Sequence, residues 1–101
     1  MNTKILEYMV AVAREGSVSK AAEEFYLSQP VLSRHIKKIE EELGTPLFVR
    51  KRSGLVLTDA GRIYISSAKM ILHLESELEN ELREMKERMV NNEKNTDSHA
   101  V

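Results

Sequence analysis

The chain has 101 residues, 42% hydrophobic and 31% charged, with a formal net charge of −1, which suits one domain with a modest core and room for an extension. It contains no cysteine, so disulfides and thiolate metal sites are excluded and a reducing, cytoplasmic setting fits. The opening stretch, "MNTKILEYMVAVAREG", breaks its apolar run at Glu7 and lacks a small-residue cleavage site, and so reads as neither signal peptide nor membrane span.

The apolar residues Ile5, Leu6, Met9, Val10 and Val12 recur at helical spacing, with Gly16 as a stop, and predict the first helix. Ser17 can cap a second, "VSKAAEEF", whose Ala21 and Ala22 suit close helix packing. A third helix is expected to begin at Gln29, after the cap Ser28 and with Pro30 in its first turn, where a missing amide hydrogen costs nothing. It should stop at Leu43, before Gly44.

The period then changes. "PLFVR" and "GLVLT", separated by "KRS" and a turn glycine at Gly54, predict a small hairpin, a wing at about 47–57. Thr58 can cap a last helix that Asp59 supports with an acid in its first turn, running to about Met89 with no proline and only Gly61 as an internal break. The expected division is therefore a domain of three helices and a wing over 1–58, a long linker helix over 59–90, and a disordered polar tail over 91–101.

Net charge conceals a division between the two ends of the chain. Residues 1–70 carry +3 and residues 71–101 carry −4, the pattern of a chain with one face turned towards nucleic acid. On a helical projection Leu32, Ile36, Ile39 and Leu43 form a core arc, while Gln29, Pro30, Ser33, Arg34, Lys37 and Lys38 occupy the other side, with no acid before Glu40. An α-helix fits the major groove of duplex DNA. Arginine can give two hydrogen bonds to guanine and glutamine can pair with adenine. Gln29, Pro30, Ser33 and Arg34 are thus the candidate base contacts, and Ser17, Ser28, Lys37 and Lys38 the candidate phosphate contacts. The wing residues Arg50, Lys51, Arg52 and Ser53 make a second basic finger for minor groove or phosphate.

On the last helix Tyr64, Ala68, Ile71, Leu78, Leu82, Met85 and Met89 fall at alternating four- and three-residue steps, with Glu75 the one polar residue in that register and Leu74 beside it, a coiled-coil-like seam that predicts a homodimer. Catalysis has little support. Glu40, Glu41 and Glu42 splay about 100° apart on a helix, and His35, His73 and His99 lack the spacing of a metal pair. No cofactor is expected.

The stretch "AVAREGSVSKAAEEFYLSQPVLSRHIKKIEEELGTPLFVRKRSGLVLTDAG" closely resembles the N-terminal DNA-binding domain of the LysR-type transcriptional regulators, from about Leu6 to Gly61, through "AA", "SQP-LS-I--LE--LG-PLF-R" and "LT-AG". The resemblance implies a mainly α, winged helix-turn-helix fold. Three helices and a two-stranded β-wing are followed by a long linker helix that pairs two subunits, with the helix-turn-helix at about 18–37. It also implies DNA contacts through Gln29, Pro30, Ser33 and Arg34 and through the wing at 50–53. Val31, His35 and Ile39 depart from the family's usual Ala, Gln and Leu. Met9, Val18 and Phe25 stand where Phe, Phe and Leu are frequent and read as exchanged core volumes. Full-size members continue into a ligand-sensing domain, whereas no effector site is expected here. The alternative is a short regulator acting mainly through mixed dimers with full-length relatives.

Overall fold

A computed structural model describes residues 3–99, ordered α1 (Lys4–Glu15), α2 (Val18–Glu24), α3 (Gln29–Leu43), β1 (Phe48–Lys51), β2 (Gly54–Leu57) and α4 (Asp59–His99). The fold is the expected mainly α winged helix-turn-helix with a long C-terminal helix. The Ser17 hydroxyl accepts from Lys20 N at 3.2 Å and the Ser28 hydroxyl from Val31 N at 3.4 Å, which caps α2 and α3 as their sequence promised. α1 and α3 end on Gly16 (φ 62°) and Gly44 (φ 71°), both left-handed.

The core gathers Met9 and Val12 of α1, Ala21 and Ala22 of α2, Leu32 and Ile36 of α3, Leu47, and Ile65 and Ala68 of α4. The alanines let α2 approach α1 closely. Of the exchanged volumes, Met9 is fully buried, and Phe25 meets Tyr8 edge-on at 4.9 Å between ring centroids, a favourable aromatic geometry. The α3 core arc is shorter than its spacing suggests. Leu43 is 52% exposed, because α4 departs alongside the end of α3 and leaves a shallow apolar groove between Leu43, Thr45, Leu47, Ala60, Ile63 and Tyr64. Burial pushes the Tyr64 phenol above its ordinary value.

The wing is an antiparallel pair with Phe48 opposite Leu57 and Lys51 opposite Gly54. Its two-residue tip, Arg52 and Ser53, keeps negative φ, and Gly54 takes the positive one (φ 119°). The wing is tied down at several points. Leu55 N donates to Gly16 O at 3.0 Å, Thr58 N to Leu47 O at 3.0 Å, and the Thr58 hydroxyl to Pro46 O at 2.7 Å while accepting from Gly61 N at 2.9 Å.

α4 corrects three expectations. It continues to His99 rather than ending near residue 90, so the backbone of 91–99 is helical where a disordered tail was expected. Glu and Lys are good helix formers, Asn and Thr weaker ones, and no proline or glycine stops them. Residues 100 and 101 lie outside the described residues. Ala68, placed in the seam by its spacing, is fully buried beneath the chain's own domain, and Tyr64 is half-buried there. The physical reason is drift. A strict seven-residue register slips by about 20° per heptad on a straight helix, so one aligned on Leu82, Met85 and Met89 runs onto the domain-facing side by residues 64–68.

Candidate nucleic-acid interface

α3 is held from behind. Leu32 and Ile36 anchor it in the core and Ile39 packs against the same cluster, so its opposite side faces outward by helical geometry alone. Gln29, Pro30, Arg34, Lys37 and Lys38 are exposed and Ser33 is half-exposed. The Gln29 side-chain amide donates to the Ser33 hydroxyl at 2.6 Å, so two of the candidate base-reading groups are already paired one turn apart. The sequence reading missed this contact, although the i, i+4 spacing of an amide and a hydroxyl would have signalled it.

The electrostatics of this face are uncompensated. Among the described residues the salt bridges neutralise Lys4 with Glu7, Arg14 with Glu15 and Glu24, and Arg62 with Asp59. None of them engages Arg34, Lys37, Lys38, Arg50, Lys51 or Arg52. Each of these cations stands free to meet an anion. At Ser17 and Ser28 the hydroxyl oxygens are occupied as caps, but each O–H proton remains available for donation outward.

Glu40 turns out to join the two halves of this surface. Its Oε2 accepts from Leu47 N at 2.6 Å and Phe48 N at 3.3 Å, so a carboxylate on α3 fixes the base of the wing. The sequence shows Glu40 only as the first of three acids at a helix end, because its partners are backbone groups seven and eight residues away that side-chain patterning cannot reveal. Glu40→Ala should lower stability by about 1–3 kcal/mol through two unpaired amides. Hydrogen exchange at Leu47 and Phe48 should accelerate more than exchange within α1. Uniform acceleration would contradict the pinning role.

On α4 the domain contacts end with Leu72 and Glu75, whose carboxylate accepts from the Thr3 hydroxyl at 2.6 Å. Ile71, Leu74, Leu78, Leu82, Met85 and Met89 stay exposed, joined by Ile63 and Met70, which the seven-residue register overlooked. No described helix is long and apolar enough to cross a membrane.

Residues 3–62 match the family model described as the bacterial regulatory helix-turn-helix protein, lysR family. The chain belongs to the LysR family. It is 44% identical over 88 residues to the HTH-type transcriptional regulator YcgK of Bacillus subtilis, covering 87% of this chain and 26% of that one. Against BudR of Klebsiella aerogenes it is 49% identical over 74 residues, 73% of this chain and 52% of the relative. This LysR-family chain thus spans between about a quarter and a half of these curated relatives. Among solved structures, the DNA complex of the CbnR DNA-binding domain matches with TM-score 0.74 at 34% identity, covering 82% of this chain and 95% of that one. The BenM DNA-binding domain bound to benA site 1 DNA matches with TM-score 0.78 at 33% identity, covering 84% and 96%. The matched residues 3–62 run from α1 through the helix-turn-helix and the wing into the first turn of α4.

Proposed function

We propose that this LysR-family chain is a sequence-specific transcriptional regulator that binds duplex DNA as a homodimer, in the cytoplasm and with no cofactor. The observation that carries the reading is the outward face of α3, where hydrogen-bonding side chains and unpaired cations surround a helix whose other side is locked in the core. CbnR and BenM, whose domains share its fold, were solved on DNA.

In this reading Gln29, Ser33 and Arg34 read base edges in the major groove and Pro30 offers an apolar contact to a thymine methyl. Ser17, Ser28, Lys37 and Lys38 hold phosphates and set the register. Arg50, Lys51, Arg52 and Ser53 follow the adjacent minor groove or backbone. The dimer forms through the exposed stripe of α4, with Ile71, Leu74, Leu78, Leu82, Met85 and Met89 at its centre. A second reading, mixed dimers with full-length relatives, is favoured by the same stripe, which would accept a similar helix from another chain.

The test separates the two kinds of DNA contact. Arg34→Ala should cost about 1–3 kcal/mol on the preferred site and relax base preference, whereas Lys38→Ala should weaken all sequences alike and flatten the salt slope by about one unit. If titrations on specific and random duplexes give both variants the same profile, the division of roles is wrong. Co-purification with full-length relatives, without DNA binding by the isolated chain, would move the balance to mixed dimers.

A further inference from the structure

The segment between α2 and α3 closes with the hydrogen bonds of a helix C-terminal motif: Tyr26 N donates to Glu23 O at 3.2 Å and Leu27 N to Ala22 O at 2.9 Å. This motif needs a left-handed residue at the position Tyr26 occupies, which glycine or asparagine fills at least cost. α1 and α3 use Gly16 and Gly44 there, while α2 uses a tyrosine, the one non-glycine residue with positive φ (57°) among those described.

Nothing among the described residues compensates for this choice. Tyr26 is 97% exposed. Its ring takes no part in the aromatic, cation–π or hydrogen-bonded contacts of the described residues, where Tyr8 meets Phe25 edge-on and His35 at a tilt. A strained backbone position carrying a large unused side chain points outside the molecule for its role. Its place in the chain indicates where. In a helix-turn-helix the first helix crosses the DNA backbone and the second enters the groove, so the turn between them passes over phosphates. Tyr26 is in that turn, two residues before Ser28 and three before Gln29.

We infer that Tyr26 is a DNA-backbone contact, its phenol donating a hydrogen bond to a phosphate oxygen beside the groove that α3 enters. The inference rests on the DNA-binding reading above. Tyrosine hydroxyls are among the side-chain groups that bind phosphate, and such contacts position the protein without reading sequence.

Tyr26→Phe removes only the hydroxyl. Its affinity should fall about tenfold on the preferred duplex and by the same factor on random duplex, as expected for loss of one hydrogen bond to a charged group. Tyr26→Asn should lose at least as much affinity while raising Tm by about 4 °C, since asparagine tolerates the left-handed region better. Unchanged affinity of Tyr26→Phe, or a loss confined to the preferred sequence, would overturn the phosphate contact. A Tm for Tyr26→Asn no higher than wild type would overturn the strain on which it stands. Failure of the wild-type chain to bind any duplex would instead sink the DNA-binding reading itself.

Discussion

Gly61→Ala is expected to destabilise the domain by about 3 kcal/mol or more, a large part of the 5–15 kcal/mol that holds a typical domain folded. In an exposed helix the same exchange would stabilise by about 1 kcal/mol, because alanine loses less backbone entropy. Geometry reverses the sign. A Cβ on Gly61 would lie 2.0 Å from Leu47 O, 3.0 Å from Leu47 C and 2.9 Å from Leu57 Cδ2. The side chain of Leu57 can rotate away, but the carbonyl cannot. Leu47 O accepts from Thr58 N, and the amide of the same residue is held by Glu40. Relief of the clash requires α4 to lift from the wing, which breaks the junction that orients wing and α3 together. Urea denaturation of the variant should show a midpoint far below wild type. A midpoint equal to or above it would mean that this junction is slack.

Leu82→Asp should have its effect on assembly instead of folding. Leu82 is half-exposed, seven residues beyond the last domain contact at Glu75, and every described residue from 76 to 92 whose burial is defined is exposed. The domain itself should therefore melt as before. A carboxylate placed in an apolar contact between two helices is costly, so the variant should sediment as a monomer at concentrations where the wild type is expected to sediment as a dimer. Its affinity for a two-fold related site should fall by about 10² to 10⁴, since the second domain no longer binds as part of the same complex. Affinity for a duplex with one half-site should be unchanged. Wild-type sedimentation by Leu82→Asp would remove this stripe from the dimer interface.

The parts of this fold that local chemistry dictates were readable. Ser28, Pro30 and Gly44 mark both ends of α3 at the residues where the structure puts them, and Thr58 does the same for the start of α4. The wing could be placed because its apolar runs and Gly54 carry turn chemistry in a few residues. What escaped depends on contacts between elements, or on a residue type that signals nothing. Tyr26 holds a left-handed conformation that no rule would assign to tyrosine. Glu40 reads as one solvated acid among three until the wing folds back onto it. Ile63, Met70 and Leu43 count as free surface only once the path of α4 is known. The same path removes Ala68 from the seam, since spacing alone records a helix face without saying which neighbour covers it. Of the candidate interface, the outward position of the α3 face was legible because its helical phase follows from Leu32 and Ile36. The pairing of Gln29 with Ser33 and the pinning of the wing were not.

The most direct test of the central claim is selection of bound duplexes from a random pool, performed in parallel with the wild-type chain and with Arg34→Ala. If the outer face of α3 sits in the major groove, the wild type should enrich a two-fold related sequence, and Arg34→Ala should lose the preference at one base pair in each half while keeping the rest. No enrichment by the wild type, or an identical preferred sequence from both proteins, would contradict the account.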